Sequence, residues 1–216
     1  MKKRDAILQA ATYFFSRKGF KDTSMSELCK AAGVAEGTVF YHFKNKQEIF
    51  LTILRNLRDT ILPEFEKYKA EKKVITGLNL VEESIAFYLY MASIREDLFS
   101  ILHQRYPYEL AEANPDCREL LESIYEAFVD IFENAIRMGQ KDGSIGPWHT
   151  RKSAMILFAM VDSMVRFRMY NLYDVTSLYK EMIEACRRML ENRNMPLEEG
   201  ENGKAVAENE NCRAAN

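Results

Sequence analysis

The chain has 216 residues, 47% hydrophobic and 29% charged, enough apolar side chain to bury a core in one or two domains and too much for a disordered polymer. Its longest apolar runs are broken by charge well short of the ~20 residues that a membrane-spanning helix needs. The formal net charge of -2 conceals an asymmetry: residues 1–58 hold eleven Lys or Arg against five Asp or Glu, and the other 158 hold nineteen against twenty-seven. A basic head that meets a polyanion, joined to an acidic body that does not, is the expected arrangement.

The basic start Lys2-Lys3-Arg4 is followed by Asp5, Gln9, Ser16 and Arg17, not by the apolar stretch of a signal peptide. A cytoplasmic protein with no membrane partner is expected. In chain order, Ile7, Ala10, Ala11, Phe14 and Phe15 recur at helical spacing from Lys3 to Lys18, and Gly19 can supply a left-handed cap. Ser24 followed by Glu27 is a capping-box pattern for a second helix to about Ala32. Gly33 and Val34 make the turn, and a third short helix from Glu36 carries Val39 and Phe43 inward. Helix, glycine turn, helix is the order of a helix-turn-helix.

After Asn45 an amphipathic stretch with Ile49, Phe50, Ile53, Leu54, Leu57 and Ile61 inward runs to Pro63, where a kink or an end is expected. Four further helical blocks follow at about 78–93, 95–105, 117–140 and 150–170, punctuated by Gly77, Pro107, Pro115 and the 143–147 stretch, with a last helix at about 175–192. No segment keeps a period of two, so the fold is expected to be all-α. From Pro196 the composition is that of a polar, disordered tail.

Cys29, Cys117, Cys186 and Cys212 form no CxxC pair, and His42, His103 and His149 form no HExxH arrangement, so neither a disulfide framework nor a metal site is signalled. No nucleophile-and-base pair or phosphate loop is present either; no cofactor and no catalytic residues are expected.

A major groove about 12 Å wide admits one helix, and the third helix would expose Glu36, Gly37, Thr38, Phe40 and Tyr41 to it. Gly37 allows close approach, Thr38 offers a hydroxyl and a methyl, and Tyr41 and His42 can donate to phosphates. Thr23, Ser24, Lys44 and Lys46 are candidate backbone contacts, although the two lysines also fit ordinary solvated surface. Phe40 and His42 fit either DNA contact or packing, whereas Leu28, Val39 and Phe43 read as core.

Residues 23–46, with paired hydroxyls Thr23-Ser24, the Ala32-Gly33-Val34 turn, Gly37-Thr38, the run Phe40-Tyr41-His42-Phe43 and Lys46, resemble the DNA-binding domain of the TetR (tetracycline repressor) family. Val39 and Phe40 stand where most members carry Leu and often Tyr, so one hydroxyl is missing at position 40. The resemblance covers about the first 55 residues. It implies a division into a DNA-binding domain at 1–48, a helical effector-binding and dimerising domain at 49–193, and the tail at 194–216. It further implies a homodimer on a palindromic double-stranded DNA operator, most simply a repressor released by a small, largely apolar effector. An activator, an architectural DNA-binding protein without an effector, and an all-helical enzyme are the alternatives.

The body's aromatic and methionine side chains suit an adaptable pocket, though at helical spacing they equally suit plain core. Tyr88, Met91, Phe99, Tyr106, Tyr125, Phe128 and Phe158 are the candidate walls, with His103 and Asp162 as polar groups. Arg105 is a further polar candidate. For the dimer interface the resemblance points to the last two helices and their Leu157, Val161, Met164, Val165, Leu178, Met182 and Ile183.

Overall fold

The structure, a computed structural model, describes residues 2–192; the tail expected at 194–216 lies outside them. The protein is all-α. Three short helices form the head: α1 (Lys3–Lys18), α2 (Met25–Ala32) and α3 (Glu36–His42). Ile7, Leu8, Ala11 and Phe15 are the buried side of α1. The α2 start carries the capping box in full: the Ser24 hydroxyl accepts from the Glu27 backbone N–H and the Glu27 carboxylate accepts from the Ser24 N–H. Gly19 and Gly33 close α1 and α2 with φ of 84° and 65°. Gly19 does not take the left-handed cap expected of it, being extended in ψ; Gly33, expected only to turn the chain, does.

Helix α4 (Lys46–Ala70) opens with the Asn45 side chain accepting from the Glu48 N–H at 2.8 Å. It does not end at Pro63. The ring costs the helix one N–H bond, but Pro63 lies on the exposed side while Ile61 and Phe65 remain buried, so water can solvate the freed carbonyl and burial holds the helix together. The boundary expected at residue 48 consequently falls in the first turn of a continuous helix shared by head and body.

The body comprises α5 (Gly77–Ile94), α6 (Glu96–His103), α7 (Arg105–Ala113), α8 (Pro115–Asp142), α9 (Thr150–Met169) and α10 (Leu178–Leu190). The block expected at 95–105 is really two helices, α6 and the start of α7. Pro107, expected to break helicity, sits in the first turn of α7, where no intrahelical N–H bond is lost. Central α8 packs against α4, α5, α7 and α9. Its crossing with α5 is close because both sides are glycine: a Cβ at Gly77 would overlap the Gly139 backbone. The Asp142 carboxylate accepts from the Gly77 N–H at 2.6 Å and fixes that crossing.

Candidate nucleic-acid interface and effector chamber

Outward-facing α3 carries most of the residues expected to meet DNA. Val39 and Phe43 are fully or almost fully buried and hold α3 against the head. Glu36, Gly37, Phe40 and Tyr41 are exposed, Thr38 and His42 are half-buried, and Lys44 is exposed just beyond. Phe40, which fitted either role, is 48% exposed, and Tyr41 is 84% exposed. These side chains share one short helix face, with Ser24 exposed at the start of α2. Burial and the neighbouring Glu36 push the Cys29 thiol up.

Two of the expected contacts turn inward. Thr23 is 1% exposed and its hydroxyl donates to the Gly19 carbonyl at 2.8 Å. The Lys46 ammonium donates to the carbonyls of Phe20 and Thr23 at 2.7 and 2.6 Å and lies over the Phe20 ring. Burial holds its pKa below the ordinary lysine value, against the pull of Asp22 and Glu27. Lys46 is therefore a strut that ties the loop after α1 to the start of α4, and its charge is committed within the head. Glu27 is held at about 2, first by the hydrogen bond from Lys18 and then by those from Ser24.

A joint connects this head to the body. Gln104, directly after α6, donates its side-chain N–H groups to the Phe15 and Ser16 carbonyls at 3.0 and 2.9 Å, satisfying C-terminal carbonyls of α1. Ser100 donates to the same Ser16 carbonyl, and Asp97 accepts from Ser16 and Arg17. Tyr106 stacks on Phe20, centroids 3.9 Å apart, so it is a head-to-body contact and not the chamber wall expected from sequence. Arg105 pairs with Glu109 on the surface.

The other expected chamber residues do come together, as a packed cluster. The rings of Tyr88, Phe99, Phe128 and Phe158 lie edge-on, tilted or stacked at 4.8–6.2 Å, with Met91 buried among the core residues. In their midst the Asp162 carboxylate accepts from the Tyr88 hydroxyl at 2.5 Å and faces His103 Nε2 at 2.8 Å; His103 Nδ1 faces the Phe99 carbonyl. Burial alone would raise the Asp162 pKa, but the hydrogen bonds from His103 and Tyr88 outweigh it and hold the carboxyl below the ordinary aspartate value. Tyr125 and Tyr108 pair through their hydroxyls at the edge of the cluster. His103 and Gln104 are thus consecutive residues, one anchored on the body's half-buried Asp162 carboxylate and the other on the head, and Tyr170 donates to the His103 carbonyl as well. This link is invisible in the sequence.

Most residues assigned to the dimer interface from sequence face their own protomer. Leu157, Val161, Met164, Val165 and Met182 are buried, Ile183 is half-buried, and only Leu178 is exposed. Helix α9 is apolar on two sides: Leu157 and Val161 pack on α5 and α8, while Met155, Ile156 and Ala159 stand outward. A periodic apolar pattern identifies a buried face but does not say which of two apolar faces meets a partner.

A short glycine-turned helix pair with an outward second helix, carried on a helical body, defines a helix-turn-helix DNA-binding protein. Residues 7–53 match the family described as bacterial regulatory proteins, tetR family. The HTH-type transcriptional repressor BepR of Brucella suis is 28% identical over 166 residues, covering 73% of this chain and 76% of that one. Among solved structures, the transcriptional regulator FadR of Bacillus subtilis in complex with stearoyl-CoA aligns with a TM-score of 0.67 at 21% identity, over 84% of this chain and 96% of that one. A protein of Saccharomonospora viridis in complex with choline aligns with a TM-score of 0.75 at 21% identity, over 88% and 98%. The chain belongs to the TetR family of transcriptional regulators.

Among the described residues no helix is long and apolar enough to cross a membrane.

Proposed function

We propose that this regulator acts in the cytoplasm as a repressor, binding a two-fold operator as a homodimer and leaving it when a small molecule binds the body. It has no catalytic role in this reading. The observation that carries the proposal is the exposed face of α3, with Gly37, Thr38, Phe40 and Tyr41 outward on a helix anchored by Val39. Thr38 and Tyr41 read base edges or adjacent phosphates, and Ser24, Glu36, Gly37, Phe40, His42 and Lys44 border the same surface. Thr23 and Lys46 act by holding the head in shape.

Met155, Ile156 and Ala159 of α9, with Leu178 of α10, are the apolar surface offered to a second copy. A dimer sets two recognition helices about one DNA turn apart and asks for a palindrome. Similarity to a regulator bound to stearoyl-CoA and to a protein bound to choline supports a ligand-responsive body. Release follows when the ligand favours a head spacing that no longer fits successive grooves; it can shift that balance only by its differential affinity for the two states.

Selection of duplex sites from a random pool with the purified chain tests this reading. A two-fold site with half-sites about ten base pairs apart, centre to centre, is expected. Enrichment of no sequence, as for an architectural protein, would contradict it.

A further inference from the structure

A cavity of about 770 Å³ lies between α5, the start of α6, the C-terminal half of α9 and the connection to α10. It is separate from the ring-packed cluster around Asp162, whose carboxylate is already matched by Tyr88 and His103. Its apolar surface comes from Leu89, Ala92, Met164, Val165, Met169 and Val175. Its polar side comprises the carboxylates of Glu96 and Asp174, Tyr173 and Tyr179, the neutral Asn171 and Thr176, and one guanidinium, Arg168.

Neither carboxylate is in an ion pair among the described residues; the Asp174 carboxylate accepts from the Thr176 backbone N–H, at 3.0 Å. Two carboxylates against one guanidinium leave the lining one negative charge in excess. The neighbouring Glu82 and Glu83 add little to that field, being paired with Arg187 and Lys72. An anionic headgroup entering here meets like charge. A cation meets the carboxylates and the faces of Tyr173 and Tyr179, whose ring quadrupoles attract positive charge.

We propose that this cavity binds an organic cation with an apolar body, such as an alkyl or aryl ammonium, its charge held by Glu96, Asp174 and the tyrosine faces and its hydrocarbon against Leu89, Met164 and Met169. The consequence for DNA rests on the ligand-responsive reading above. Glu96 is the first residue of α6, and Asp97 and Ser100 on the same helix, with Gln104 directly after it, hold the end of α1. An occupant that engages Glu96 therefore acts on the helix that carries the head.

Calorimetric titration of the full chain with decyltrimethylammonium, decanoate and decanol, all below micelle formation, tests the site. The ammonium is expected to bind about tenfold or more tightly than either of the others. In the double variant E96Q/D174N, both side chains being exposed, that preference disappears while decanol binding stays as it was. Equal affinity for all three, preference for decanoate, no binding, or an ammonium affinity unchanged in the double variant would each overturn the proposal. Operator affinity measured on the same samples separates the two readings. Ammonium binding with no change in operator affinity retains the site and contradicts release through it; operator release by a compound that ignores the double substitution contradicts the site alone.

Discussion

Tyr41→Ala is expected to weaken operator binding on the order of a hundredfold while leaving thermal stability unchanged. A lost base or phosphate contact costs about 1–3 kcal/mol, and a dimer carries the change twice. The residue is 84% exposed and its contact within the head is an edge-on one with the adjacent His42 ring, so its truncation removes almost nothing from the fold. Thr38→Ala should act in the same direction with a smaller effect, because its side chain is already half-covered. Fluorescence anisotropy with the selected duplex, at one fixed salt concentration, reads both; a loss equal on unrelated DNA would assign Tyr41 to the phosphates, and no loss on any DNA would remove it from the interface.

The second large effect concerns stability. Asp162→Ala leaves His103, whose side chain is fully buried, facing no carboxylate, and removes the acceptor of the Tyr88 hydroxyl. Breaking a buried pair by removing one partner costs about 3–5 kcal/mol, which for a chain of this size is a midpoint lower by about 6–20 °C. Asp162→Asn keeps an acceptor oxygen and should lose less. Since the folded carboxyl is held below its ordinary value of about 3.9, its contribution is present above that value. It is lost as the pH falls through the lower folded value. The native chain should therefore lose stability below about pH 4 more steeply than Asp162→Asn. Scanning calorimetry across that range checks the sign, and parallel curves for the two would contradict it.

What was legible in the sequence was local. Ser24 and Glu27, three residues apart, announce their capping box because both partners lie in one turn, and Gly33 announces the turn before α3 because one residue carries the conformation. Helix periodicity likewise places Val39 and Phe43 inward. What the sequence hid was direction and distance. Pro107 looked like a break because a proline's neighbours do not reveal whether it falls in a first turn or an interior. Lys46 looked like a phosphate contact because its position after α3 is right, yet its stem folds back over Phe20 to carbonyls 23 and 26 residues earlier. The joint of Gln104 with Phe15 and Ser16 spans nearly 90 residues, and no periodic pattern encodes such a pairing. The same limit explains why Leu157 and Val161 were read as interface when Met155 and Ile156 face outward.

The same joint explains how a small head could respond to a body ligand. Rigid pieces meet at α6: its first residue borders the cavity, its last is bonded to Asp162, and its side chains hold α1. Displacement at either body contact must be accommodated at the head, because packed elements shift between discrete arrangements and do not deform smoothly.

Backbone hydrogen exchange of the full chain, with and without the selected duplex, tests the central claim most directly. Slowed exchange confined to residues 36–44 and the start of α2 is the predicted result, since DNA would cover the outward face of α3. Protection centred on α9 and α10, with α3 exchanging as fast as in the free protein, would contradict the assignment of the recognition helix.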